Sequence, residues 1–516
     1  MGGLKFPLTL ALASWAASAA PSIERSSANN TDPLVGAWYF GGWFNCTTPG
    51  CYSHFQGYTP RGAPVADFFP AYPERTPLLG LYSDRVATVT AEVAAADAAG
   101  LDFFHVLFYD ADGERDCGPN PDARLTPCLN AALAFMLNTS SVWAGTTGRL
   151  RFALAYSNDV DRARAGMFVG PAGRAEWLSR VGTWVRAMAH PRYLTVGGRP
   201  VFQVLIPDIF SSQCGGNATL AAELLQLLRD AGRAAGVGAP VIGGGWLPPS
   251  IAPGGAAAPL PHPDGYMRYA QTDVPCTGAP CDLARVPGAA PGDCMAACNA
   301  TAQCVGFAAY AGNGTCVLKS SAGPGAPGLG DFYVRVLDDI PWEWRGTYND
   351  APPLCYAGPN RTDPGECPEY HNSWWPNATA DGAKIFPYAE CARFQAEARG
   401  NQSGDAVPYL PNVIAGFDPR PWEEQGPSFS AATRAEWTAA LAQARDLVTD
   451  PANRVFGLPD ATSPTGVRPA MSIYAWNELG EGGILMPTAG DGFMKLECVT
   501  AVFGRGTAGG GGRPSA

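Results

Sequence analysis

Short apolar runs with strand character alternate with helix-length runs along nearly the whole chain. Residues 35–43, 101–109, 150–156, 200–206, 239–246, 265–272, 412–417 and 471–476 read as strands. Residues 85–100, 129–137, 175–190, 219–236, 384–400, 434–448 and 492–503 carry the spacing or composition of helices, the first stopped by Gly100. Strands joined by helices can bury both faces only in a parallel sheet covered by those helices. Eight such units predict an α/β fold, a (β/α)8 TIM barrel, with a doubly wound open sheet as the alternative. At 516 residues the chain is long enough for a large domain plus an insert.

The charge balance narrows the partners. There are 35 basic and 46 acidic side chains, a net charge of −11, where a nucleic-acid binder would carry a basic excess. The 62 Gly and 48 Pro have no period, which fits a loop-rich globular protein.

The N-terminus reads as a secretory signal peptide over residues 1–19: Lys5, an apolar run from Leu8 to Ala17, then Ala17-Ser18-Ala19. No other stretch approaches a membrane span, so none is expected after cleavage. The expected location is extracellular or the secretory pathway, including the Golgi lumen. Nine Asn-X-Ser/Thr sequons, at Asn29, Asn45, Asn138, Asn217, Asn299, Asn313, Asn360, Asn377 and Asn401, fit a glycoprotein on that route. So do 15 cysteines, most of them expected in disulfides. Pairs Cys46–Cys51, Cys117–Cys128 and Cys355–Cys367 would each close a short loop. Cys214 and Cys498 lie far from the rest and are the expected exceptions.

The barrel is expected in two parts, residues 33–272 with strands one to six and residues 338–504 with strands seven and eight. Residues 505–516 form a Gly-rich tail expected to be disordered. Between the parts, residues 273–337 hold a cysteine density found nowhere else in the chain. Cys294, Cys298, Cys304 and Cys316, with Phe307 and Leu318-Lys319, resemble the central pattern of a PAN/apple domain. That resemblance implies a small disulfide-rich insert that binds carbohydrate or protein. Residues 342–380 are rich in Trp and Pro and read as a lid or cleft rim.

In a parallel barrel the chemistry sits where the strands end. After the eighth strand come Tyr474, Trp476, Asn477, Glu478 and Glu481, with glycines at 480, 482 and 483. Two carboxyl groups there fit glycosidic-bond cleavage, in which one protonates the departing oxygen and the other handles a nucleophile or developing charge. Other strand-end residues fit a sugar site: Tyr39 and Trp43, Tyr109, Asn158, Tyr266, and the pair Asp418 and Arg420. An aromatic ring there can stack on a pyranose face.

The segments WNELGEGG, GAWYFGGWF, GLDFFHVLFY, GRPVFQ and AGFDPRPW together resemble the family 99 glycoside hydrolases and their WbsX-type relatives. The resemblance spans most of residues 35–503 outside the insert. It implies a (β/α)8 barrel and retaining, endo-acting cleavage of α-mannosides in a glycan or polysaccharide. It implies Glu478 as base on the sugar's 2-hydroxyl and Glu481 as general acid/base, with no cofactor and no metal. The chain departs from the family in the Leu479-Gly480 spacer and in carrying the insert, which leaves the sugar open.

Two other readings stand beside the glycosidase. Asp110-Ala111-Asp112 after the second strand has the form by which glycosyltransferases hold a metal against a nucleotide sugar, and the WbsX-type relatives belong with polysaccharide synthesis. A non-catalytic glycan-binding protein is the other. The five His are scattered, and no serine-hydrolase elbow is present.

Overall fold

A computed structural model describes residues 32–44, 71–110, 128–158, 164–245, 260–262, 266–269, 272–273, 282–287, 290–301, 304–310, 314–320, 326–327, 331–335, 340, 342–346, 385–402, 407–418, 420–422, 428–453 and 455–504. The barrel strands are β1 Leu34–Tyr39, β2 Phe103–Phe108, β3 Arg151–Tyr156, β4 Arg199–Val204, β5 Val241–Gly245 and β6 Trp344–Gly346. The seventh, β7, runs through Tyr409–Leu410 and Asn412–Ile414, and β8 is Val467–Tyr474.

Neighbouring strands pair in parallel from β1 to β6 in chain order. The two halves of β7 are separated only by Pro411, and they close the sheet. Tyr409–Leu410 pairs with β6, while Asn412–Ile414 pairs with β8, which pairs with β1. The expectation of a barrel is therefore met by eight parallel strands, the β7 halves counted as one. Helices α1 Val86–Ala99, α2 Ala131–Asn138, α3 Gly170–Met188, α4 Ala218–Ala234, α5 Tyr388–Gln402, α6 Arg434–Thr449 and α7 Met494–Phe503 connect or follow the strands. Gly100, with φ +87°, ends α1 in the left-handed conformation that glycine adopts without cost.

Strands buried on both faces explain the continuous apolar runs. One buried apolar cluster takes Phe103, Ala153, Val201, Val241, Trp344, Leu410 and Ala470, one side chain from each of β2 to β8, together with Leu194, Val196 and Leu458. His105 is stacked on Trp38 with ring centroids 4.1 Å apart.

The sixth strand is not where the sequence pattern places it. Tyr266–Tyr269 pairs antiparallel with Asp331–Arg335, outside the barrel. Trp344–Gly346, from the segment read as a lid, takes the barrel position instead. The Gly triplet of β5 makes the room: a Cβ on Gly243 would lie 2.2 Å from the Trp344 ring. Residues 347–384 lie outside the described ones.

The insert is a six-stranded antiparallel sheet. Its strand order is Asp282–Pro287, Thr315–Lys319, Gly306–Tyr310, Asp331–Arg335, Tyr266–Tyr269, Leu260–His262. Helix Pro291–Asn299 packs on it, and disulfides Cys294–Cys316 and Cys298–Cys304 staple a small core with Met295, Phe307 and Leu318. The sheet begins at Leu260, so Tyr266 lies in the insert rather than at a barrel strand end.

Cys128 is disulfide-bonded, while Cys214 and Cys498 are buried free thiols, as their isolation in sequence predicts. Cys46, Cys51, Cys117, Cys355 and Cys367 lie outside the described residues, as do the signal segment and the tail. Among the described residues no helix is long and apolar enough to cross a membrane.

Candidate active site

Three loops at the C-terminal ends of the strands meet: those after β1, β7 and β8. After β8 the chain passes a cis peptide at Tyr474-Ala475 and forms a two-residue hairpin, Asn477–Glu478 against Gly483–Ile484. The span between the arms carries Glu481. Glu478 is buried, and Glu481 is half-buried.

Asn477 fastens the hairpin to the end of β1. Its side-chain oxygen accepts from the Phe40 amide at 2.8 Å, and its side-chain nitrogen donates to the Phe40 carbonyl at 2.8 Å. The Trp43 indole N–H donates to the Asn477 carbonyl at 2.5 Å. From α7, the buried Lys495 ammonium donates to the Ile484 carbonyl at 2.7 Å and pairs with Asp491 at 2.9 Å. Burial draws its pKa down, with Asp491 opposing.

The Tyr474 hydroxyl donates to a Glu481 carboxylate oxygen. Two glycines permit the contact. Gly482 has φ +77° and lies against Asp418, where a Cβ would sit 2.8 Å from the Asp418 nitrogen. A Cβ on Gly483 would lie 2.4 Å from the Tyr474 ring. The glycines thus serve close backbone packing under the glutamates.

Asp418, after β7, is bound by two arginines. Arg420 donates to its two carboxylate oxygens at 2.7 and 2.8 Å, and Arg75 pairs with it from the other side. Burial pushes the Asp418 pKa up, but the Arg420 hydrogen bond, the charges of Arg75 and Arg420, and Ser428 together hold it below the ordinary carboxylate value. Arg75, from the short 3-10 turn Pro73–Arg75, escapes the sequence reading because it lies in no motif.

The other expected residues are distributed unevenly. Trp476 is fully buried, its amide donating to the Trp38 carbonyl at 2.6 Å and its ring meeting Phe104 edge-on at 5.2 Å. Tyr39 is also fully buried and its hydroxyl donates to Glu92 of α1 at 2.5 Å. Glu92 lines a small cavity with Trp43, Asn477, Leu479 and Met486. Tyr109 is buried near Phe40, with ring centroids 5.9 Å apart. Asn158 bonds both polar ends of its side chain to the Ile206 backbone, at 2.8 and 2.9 Å, tying the β3 loop to the β4 loop. Tyr474 and Glu481, Asn477 and Trp43, and Asp418 and Arg420 are thus joined in pairs, with Glu478 beside Asn477 on the hairpin, whereas Asn158 bonds to the β4 loop.

Asp110 forms a buried ion pair with Arg180, whose guanidinium lies over the Tyr156 and Phe168 rings at 5.8 and 5.5 Å. Asp112 is outside the described residues. Among the described residues no cluster of three or more His, Cys, Asp or Glu is placed to hold a metal ion.

No family model matches the chain, and no curated protein does. Among solved structures it is similar to a glycoside hydrolase-like protein, at 11% identity and a TM-score of 0.45, over 94% of this chain and 97% of that one. It is also similar to the GH99 endo-α-mannosidase from Bacteroides thetaiotaomicron, at 10% identity and a TM-score of 0.40, over 93% of this chain and 99% of that one. A structure of that endo-α-mannosidase with bis-tris propane is similar at 10% identity and a TM-score of 0.37, over 92% and 96% of the two chains.

Proposed function

We propose that this protein is a glycoside hydrolase of the secretory pathway or extracellular space, and that Glu478 and Glu481 perform the chemistry. The observation that carries the reading is the pair of carboxyl groups on one hairpin at the C-terminal mouth of the barrel, Glu481 bonded by the Tyr474 hydroxyl. The family resemblance of the sequence gives the reaction its form. The Glu478 carboxylate takes the proton of the sugar's 2-hydroxyl as that oxygen attacks C1. Glu481 gives its proton to the departing oxygen as the glycosidic bond breaks. Water then opens the three-membered ring at C1, giving its proton to Glu481, while Glu478 returns its proton to O2; the anomeric configuration is retained.

Asp418 and Arg420 form a charged rim beside this pair, suited to the hydroxyls of a sugar. The substrate class is an α-mannoside-type linkage in a glycan or polysaccharide. The stapled insert is a PAN/apple-like module for carbohydrate or protein.

The test is a product assay without added nucleotide sugar or metal. Wild type and Glu481→Gln are incubated with α-linked mannan fragments and high-mannose N-glycans. Cleavage by the wild type alone supports the reading. Turnover that needs a nucleotide sugar contradicts it and favours a transferase.

A further inference from the structure

We propose that Arg75 is the positioning residue of the glutamate pair: its guanidinium dictates the path of the backbone from Glu478 to Glu481. The proposal deepens the hydrolase reading and rests on it for the kinetic part of its test.

The two residues between the glutamates are Leu479 and Gly480. Arg75 Nη1 donates to both of their carbonyls, at 2.8 and 3.3 Å. Nη1 and Nη2 each reach the Asp418 carbonyl at 3.1 Å, and Nη2 also pairs with the Asp418 carboxylate. The Asp418 amide in turn donates to the Glu481 carbonyl at 2.5 Å. Three successive carbonyls, 479 to 481, are therefore gripped by Arg75 or by the residue it is paired with. A turn of this kind has no sheet or helix to satisfy its carbonyls, so the side-chain donors decide its conformation.

The guanidinium suits this work. It presents several N–H groups in a fixed planar fork, whereas a lysine ammonium is a compact point charge. Arg75 is only 5% exposed, so its contacts are shielded from water. Its charge is balanced by Asp418 and by Glu74 at 3.8 Å, and the Tyr72 ring lies 5.0 Å from its centre. Buried among these groups, Arg75 acts on the reaction through the loop it holds.

The consequence is specific. Arg75→Lys keeps the buried charge and the pairing with Asp418 but loses the fork. Both glutamates then keep their chemistry and lose their placement. A displacement of about 1 Å at a reacting group costs about 100-fold in rate. The expected result is a kcat lower by about 100-fold with KM within about threefold, because Arg75 is set to touch the loop and not the sugar.

The experiment pairs kinetics with amide hydrogen exchange on wild type, Arg75→Lys and Arg75→Gln. Exchange at Leu479 and Asp418 is expected to speed by about 10-fold or more, while residues 103–108 of β2 stay protected and report an intact barrel. Unchanged exchange at Leu479 and Asp418, or a changed KM with kcat intact, would overturn the proposal. If the wild type cleaves no member of the glycan panel, the hydrolase reading fails, but the exchange result still decides whether Arg75 holds the loop.

Discussion

Replacing Glu92 by Gln should remove a loss of stability that the wild type suffers between pH 4.5 and pH 7, by an amount the structure sets. Glu92 is 3% exposed, and the Tyr39 hydroxyl donates to it at 2.5 Å. Burial raises its pKa from 4.5 to about 7, with the Tyr39 and Trp476 hydrogen bonds pulling the other way. In the unfolded chain the carboxyl ionises near 4.5, and in the folded chain only near 7. Between those values the unfolded state binds fewer protons, so stability falls as pH rises through that window and is flat above it. At about 1.4 kcal/mol per pKa unit the loss is about 3 kcal/mol. Gln keeps the shape of the protonated acid, still accepts from Tyr39 and does not ionise. The assay is thermal unfolding of both proteins in parallel from pH 4 to pH 8. With about 1 °C per kcal/mol for a chain of this size, the variant should gain about 3 °C over the wild type by pH 8. At pH 4 the difference should be near zero. A difference that is constant with pH, or that grows towards acid, refutes the assignment of a buried neutral acid at Glu92.

Two further outcomes follow from the same structure. His105 is fully buried against Trp38, and burial lowers its pKa from 6.5 to about 3, with the Leu154 backbone opposing. Its unfolded form gains a proton first on acidification, so wild type should lose about 4 kcal/mol relative to His105→Phe between pH 6.5 and pH 3.5, read from denaturant melts. Gly483→Ala would place a methyl group 2.4 Å from the Tyr474 ring, so the ring must shift off Glu481. It should cost about 1–3 kcal/mol in stability and lower kcat as Tyr474→Phe does, with the double variant no worse than either; full activity in Gly483→Ala would contradict this role for Tyr474.

Much of the barrel is legible in the sequence because its strands are buried on both faces and its helices are ordinary in length. Seven of the eight strand positions follow from apolar runs and their helical partners. The sixth does not, since Trp344–Gly346 is three residues long and has no strand pattern of its own. Its place depends on the glycines of β5, about a hundred residues earlier in the chain, which admit the Trp344 ring. The site divides in the same way. Glu478, Glu481, Asn477 and the Asp418–Arg420 pair belong to recognisable local motifs. Arg75 meets backbone carbonyls more than 300 residues away, and a carbonyl carries no sequence signature. Tyr39 reads as a sugar platform because it ends a strand, yet its hydroxyl pairs with Glu92, 53 residues on. Asn158 at a strand end likewise binds a neighbouring loop.

The central claim is that Glu478 and Glu481 act as one catalytic unit, and a double-mutant cycle addresses it directly. Turnover of the preferred glycan would be measured for wild type, Glu478→Gln, Glu481→Gln and the double variant, each shown to be folded. Each single change should lower kcat by at least about 100-fold, and the double variant should be little worse than either single one. Single variants that keep more than a tenth of wild-type turnover, or losses that simply multiply, would place the chemistry elsewhere in the barrel.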